Sequence, residues 1–347
     1  MDNRDQRIGN WERFIILEDN KASLAHFLST EISESYSAPP GRELVINRGF
    51  KDTLKVWSSD TSRQDIRELA SDHEETDTRI VLHARDAAAR GYKQVNILCS
   101  DTDVLVLLLA YREQLFQDIW MFAGISRQRR YIPVHRIPLS EEKRKSLLAF
   151  HAITGCDTTS QFYGVGKASA WKVFEDAPDL LEHLGEESQI TADVLAKAEA
   201  FVCKLHNPGT QEVEINKERA AAFRKSKKDL DALPRAPTQD ALILHIKRAN
   251  YQTIVWNKAL EPCPSLPKPE DSGWYCSEGL LKPKLMTQEE VLVACLQLAY
   301  CGCSREGGCC VNGRCTCVQL SLSCSKACKC GDRCGNDRNT AAEANEA

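Results

Sequence analysis

Apolar residues along this chain fall into two rhythms, and the clearest change of rhythm lies between Lys93 and Tyr111. Val95–Cys99 is a short continuous apolar run, which predicts a buried strand. Ser100 to Asp103 is polar and predicts a turn with a helix N-cap. Val104–Tyr111 is apolar again and predicts the helix that follows. Upstream, Ile80, Val81, Ala84, Ala87 and Ala88 recur every three to four residues, the spacing of one helix face. Ser71-Asp72-His73-Glu74 has capping-box spacing, and the helix should run from there to about Arg90 and end at Gly91. Ile119–Phe122 and Tyr131–His135 are strand candidates. Helix, strand and helix followed by strands predict an α/β fold with a mostly parallel sheet.

On either side the pattern is mainly helical. Residues 1–60 carry a helical stretch near Lys21–Ile32, a turn at Pro39–Pro40, and short strand candidates at Glu43–Asn47 and Leu54–Trp57. A helix capped at Ser140 should run to about Thr154, where Gly155-Cys156-Asp157 breaks it. Gly164-Val165-Gly166-Lys167 is a tight glycine turn before a helix over Ala168–Phe174. Ala192–Lys204, Glu218–Leu230 and Thr238–Leu260 are further helices. The stretch Glu261 to Lys284 is rich in proline and reads as an irregular linker or extended strap, with a short helix at Glu289–Leu298. The expected organisation is an α/β core over 1–150, a helical region over 151–260, and a linker with its short helix over 261–300. A cysteine-rich module over 301–336 and a disordered tail over 337–347 complete it.

Length and charge narrow this picture. A chain of 347 residues has room for about two or three domains. Its net charge of −4 excludes a polycation, so any nucleic-acid contact needs a local basic face. No apolar run reaches the roughly 18 residues of a membrane span, and the N-terminus lacks a signal-peptide core. An intracellular, nuclear protein with no membrane partner is expected. Of sixteen cysteines, ten fall between Cys301 and Cys334, which in a chain of that kind favours metal over disulfides.

Three acidic groups stand at element boundaries, where a parallel sheet gathers its functional ends. They are Glu74, Glu75 and Asp77, then Asp101 and Asp103, then Asp157. Carboxylates are ligands for hard divalent cations, and two-metal phosphodiester hydrolysis needs several of them. Alternatively, Asp101 caps a helix, Asp103 favours its dipole, Glu74 completes a capping box and Asp157 caps a turn. Among basic residues, Lys167 and Lys172 follow the glycine turn, and Lys217, Arg219, Arg224, Lys225, Lys227 and Lys228 make a basic helix, which is a solvated face or a phosphate contact.

Glu75-Thr76-Asp77, Asp101-Thr102-Asp103, Gly155-Cys156-Asp157 and Gly164-Val165-Gly166-Lys167 occur in the motif order of PIN-like nucleases of the flap-endonuclease class. Residues 72–174, about a third of the chain, resemble that domain. The resemblance implies that Glu75, Asp77, Asp101, Asp103 and Asp157 hold two Mg²⁺ or Mn²⁺ ions. It also implies that Gly164, Gly166 and Lys167 present backbone and charge to duplex DNA. The family opens with a strand ending in an aspartate; Ile15–Asp19 is the nearest counterpart, so the chain reads as part of a longer reading frame or a degenerate copy.

The cysteines follow C-x-C-x5-C-C-x4-C-x-C-x6-C-x3-C-x-C-x3-C: Cys301, Cys303, Cys309, Cys310, Cys315, Cys317, Cys324, Cys328, Cys330 and Cys334. So short a segment has too little apolar material for a core, and thiolate–zinc bonds must supply its folding energy. The stretch is similar to one half of the tesmin/TSO1-like CXC domain, which implies three zinc ions on nine thiolates. The spacing to Cys315 favours Cys310 over Cys309 as the ligand. Arg314 stands where such domains carry a tyrosine. Arg305, Arg314, Lys326, Lys329 and Arg333 are candidate phosphate contacts. Three functions remain open at this level. One is a metal-dependent, structure-specific nuclease, with a looser likeness to reading frames of mobile elements. Another is an inactive PIN-like scaffold that holds DNA or protein. The third is a CXC module that serves protein contact.

Overall fold

The structure is a computed structural model. It describes residues 7–63, 66–115, 118–124, 128–225 and 236–288, and of the cysteine-rich end 301–303, 310, 315–319, 324, 328–330 and 335–336. The chain divides into two compact units, Met1–Thr287 and Gln288–Ala347.

In the first unit, α1 (Trp11–Ile16) and α2 (Glu18–Ser35) come first. Asn10 caps α1 by accepting from the Arg13 N–H at 2.9 Å. Ile15–Asp19, the nearest counterpart of an opening strand, falls in and between these helices. A two-stranded antiparallel ribbon follows, β1 (Val45–Ile46) with β2 (Trp57–Ser58).

Helix α3 (Thr76–Ala89) buries Val81 and Ala84, with Ile80, Ala87 and Ala88 packed at the margin of the same core, as the apolar spacing predicts. Gly91 ends it at φ 86°, a conformation glycine adopts without steric cost. The capping box does not form. The helix starts at Thr76 with Glu75 at the N-cap, and Ser71 Oγ accepts instead from His73 N–H at 3.2 Å. The Glu75 carboxylate is drawn to donors on another helix.

The sheet expected to be mostly parallel is small and mixed. Strand β3 (Gln94–Leu98) pairs parallel with β4 (Asp118–Ala123), with α4 (Thr102–Leu115) as the crossover. Strand β5 (Arg130–Pro133) pairs antiparallel with β4. Only residues 124–129 separate β4 from β5, too few for a parallel crossover. One sheet face buries Ile97, Ile119 and Met121 in the core that holds Val104, Leu107 and Leu108 of α4. Leu107 and Leu108 are wholly buried, each contributing on the order of 2 kcal/mol.

The remainder is helical: α5 (Glu141–Ile153), α6 (Lys167–Asp176), α7 (Ala192–His206), α8 (Ile215–Lys225) and α9 (Gln239–Asn257). Ser140, Thr191 and Thr238 cap α5, α7 and α9 through their hydroxyls. Phe150 of α5 stacks on Phe174 of α6, centroids 4.5 Å apart, and meets Phe201 of α7 edge-on. Helix α9 packs along α5, and Tyr111 Oη donates to the Trp256 carbonyl at 2.7 Å.

The proline-rich stretch is more ordered than expected. It contains an antiparallel hairpin, β6 (Trp274–Ser277) and β7 (Leu280–Pro283), turning at Glu278 and Gly279 with positive φ at both. Arg248 of α9 donates to the carbonyls of Gly273 and Lys284, at 3.2 and 2.7 Å, and clasps both ends of the hairpin. The hairpin therefore belongs to the first unit.

In the second unit the described residues gather around cysteine sulfurs, with one helical turn at Thr316–Gln319. The expected helix at 289–298, the end of the helix expected to reach Leu230, and the tail lie outside the described residues. Among the described residues no helix is long and apolar enough to cross a membrane.

Candidate metal centres

The start of α3 and the turn from β3 into α4 bring Asp77, Asp101 and Asp103 together. One carboxylate oxygen from each lies within 4.8 Å of the others. Asp101 also caps α4, since its Oδ1 accepts from Asp103 N–H at 2.9 Å. Capping and clustering thus coexist in one side chain. Asp103 is buried and Asp101 exposed. The donors are all hard oxygens, a set that fits Mg²⁺ or Mn²⁺.

Glu75 and Asp157 are near but stand apart from this set. Glu75 is braced from α9: Gln252 Nε2 donates to its Oε1 at 2.9 Å and Trp256 Nε1 to its Oε2 at 3.1 Å. Gln252 Oε1 in turn accepts from Thr158 Oγ1 at 2.7 Å, tying the turn that bears Asp157 to the same helix. Asp157 is exposed and shares with Glu75, Tyr251 and Gln252 the wall of a cleft of about 1060 Å³. Burial raises the pKa of Glu75, with the charges of Asp103 and Asp157 adding to it. Asp77 is pushed up to about 6, first by burial and then by Asp101, Glu75, Asp103 and Asp157. Like charges crowded this closely favour a proton or a cation among them. Glu74, the other acidic residue of the first group, lines the cleft outside the three-carboxylate set.

Behind Asp103 runs a chain of polar contacts. His151 Nε2 lies 2.7 Å from Asp103 Oδ1, and His151 Nδ1 lies 2.9 Å from Lys167 Nζ. A tautomer with its proton on Nε2 satisfies both, donating to Asp103 and accepting from the ammonium. Lys167 Nζ also donates to the His151 carbonyl and to Thr154 Oγ1, each at 2.9 Å. All three ammonium protons are then engaged. Burial pulls the Lys167 pKa down to about 8, against the opposing pull of Cys156 and Asp103.

Lys167, expected to meet phosphate at the glycine turn, points into the protein. Gly164 takes φ 74°, Gly166 is the N-cap of α6, and both are exposed. On α8, Lys217 pairs with Glu214 and Arg219 donates to the Ala236 carbonyl. Of the expected basic face, residues 227 and 228 lie outside the described residues. His151, Gln252, Trp256 and Thr158 were not singled out by sequence. The one available signal was a histidine within the apolar run LLAFHAI of α5.

The second unit holds two groups of four thiols: Cys301, Cys317, Cys324 and Cys328, and Cys301, Cys310, Cys315 and Cys324. Cys301 and Cys324 belong to both, as bridging thiolates would. Cys301 lies 3.8 Å from Cys310 and 4.0 Å from Cys324, and Cys317 lies 3.6 Å from Cys328, sulfur to sulfur. Four sulfurs about 2.3 Å from one zinc stand about 3.8 Å apart in a tetrahedron. A disulfide would need about 2.05 Å, far shorter than these separations. Backbone and amide N–H groups point at the sulfurs, Cys301 N to Cys328 and Asn336 Nδ2 to Cys324, each at 3.4 Å. The cluster fits zinc. Cys330 is 3.7 Å from Cys301, and Cys303 packs against the group; Cys309 and Cys334 lie outside the described residues.

Compared with family models, curated proteins and solved structures, the chain matches none. The likeness to PIN-like nucleases rests on the four motifs of residues 75–167, and the likeness to CXC domains on the cysteine spacing.

Proposed function

We propose that the first unit is a metal-dependent phosphodiesterase of PIN-like kind acting on DNA, and that the second is a zinc-stabilised CXC module contacting DNA or protein in the nucleus. The observation that supports this most is the carboxylate cluster of Asp77, Asp101 and Asp103, with Glu75 and Asp157 close enough to raise the pKa of Asp77. When bound there, Mg²⁺ or Mn²⁺ would supply Lewis-acid polarisation of a phosphate and of the attacking water. The chain's own residues hold the cluster in place. His151 fixes one oxygen of Asp103, so that the other is left for the cation. Gln252 and Trp256 orient Glu75. Gly166 leaves the start of α6 open for backbone approach to phosphate.

One observation favours a second reading. Both Glu75 oxygens are already engaged, which leaves the compact set at three carboxylates. A scaffold that binds DNA without cleaving it would need no more. Incubation of the full chain with an end-labelled flap duplex separates the two. The nuclease reading expects cleavage with Mg²⁺ or Mn²⁺ and not with Ca²⁺, and a loss of about 100-fold or more for Asp101→Asn with binding retained. Retained binding with no cleavage under any divalent ion supports the scaffold.

A further inference from the structure

The mixed sheet covers only one of its faces with the core. Alternation along the strands puts Asn96, Leu98, Trp120, Phe122 and Tyr131 on the other face. Leu98 is 80% exposed and Tyr131 61%, and Trp120 and Phe122 are half-buried. Among the described residues β3 has a strand partner on one side only. The rings are close to one another: Phe122 and Tyr131 lie with centroids 4.7 Å apart, and the Arg136 guanidinium sits 5.8 Å over Trp120. Arg129 and Arg130 are exposed at the start of β5, next to Tyr131. The one acidic side chain at the far end, Asp118, lies 3.5 Å from His135.

An exposed sheet face of this composition has a specific chemistry. Flat rings accept bases by stacking, and guanidinium groups pair with phosphates or stack on bases themselves. Rings and arginines also mark protein interfaces; here the arginines border the rings and the Asp118 carboxylate lies apart beside His135, which favours an anionic partner. The face also leads to the acidic cluster. Gly124 N–H, just after β4, donates to Ser100 Oγ at 3.0 Å, and Ser100 precedes Asp101.

We infer that the exposed face of the β3–β4–β5 sheet is a binding platform for single-stranded nucleic acid, with Phe122 and Tyr131 stacking bases and Arg129 and Arg136 meeting phosphates. Resting on the phosphodiesterase reading, this names the part of the substrate that extends from the metal centre as a single strand. Its test is binding, measured without added divalent ion, so that the platform and the chemistry fail separately. The probe is a fluorescent oligo(dT) of about 15 nucleotides, read by anisotropy against the full chain. Tyr131→Ala should weaken binding about tenfold, while Tyr131→Phe, which keeps the ring, stays within about twofold. Replacing Arg129 by alanine should flatten the salt dependence by about one unit. Tyr131 is mostly solvent-exposed, so its replacement keeps the fold, which circular dichroism checks. Equal binding by parent and Tyr131→Ala overturns the inference. So does a parent dimer that Leu98→Glu converts to a monomer and that takes up no oligo(dT), since the face would then join two copies of the chain.

Discussion

Asp77 shows how a single residue reports on its surroundings. Its ordinary pKa of 3.8 rises to about 6 in the folded protein. Between those values the folded state holds a proton that the unfolded chain has lost, so metal-free stability falls as pH rises through that window. A shift of that size corresponds to up to ~3 kcal/mol, and partial exposure screens it to roughly 1 kcal/mol. Asp77→Asn removes the effect. In metal-free buffer the variant should be more stable than the parent at pH 7.5 by about 1 kcal/mol, with the gain vanishing below about pH 4. Urea unfolding at several pH values measures this, and a gain independent of pH would contradict the cause assigned. The clustering itself was legible in the sequence because Asp77, Asp101 and Asp103 sit where a helix starts and a strand ends. The bracing by Gln252 and Trp256 was not, because it depends on a helix some 175 residues away whose position no local pattern encodes.

At the scale of elements, periodic apolar spacing was the dependable signal. The spans of α3, β3, α4, α5 and α7 follow it closely. It failed where a residue had a choice of partners. Ser71 has capping-box spacing to Glu74, but it closes a local turn onto His73 and the helix begins later. The hairpin at 274–283 was hidden because prolines and glycines that signal irregular chain also flank tight turns. A lysine beside a glycine turn looks free to meet phosphate. Here it joins the start of α6 to the end of α5 through His151 and Thr154. Lys167→Met should therefore destabilise the first unit by about 1–3 kcal/mol, since it leaves buried acceptors unpaired. It should leave the salt dependence of nucleic-acid binding unchanged, whereas loss of a phosphate contact would lower that slope by about one unit. Denaturation and salt titrations on one preparation distinguish the two.

The whole molecule joins two units held together by different physics. Met1–Thr287 has a continuous apolar core, whereas the described part of Gln288–Ala347 clusters around cysteine sulfurs. Removal of zinc by a chelator should collapse the ordered signals of residues 301–336 and leave the thermal transition of the first unit in place. Joint loss of both transitions would contradict that division. Metal binding by the carboxylates is measured by a Mn²⁺ titration of the full chain followed by electron paramagnetic resonance. The expected result is saturable Mn²⁺ binding that Mg²⁺ displaces and that Asp77→Asn and Asp101→Asn each weaken by about tenfold or more. Identical Mn²⁺ binding by the parent and both variants, or none by the parent, would contradict it.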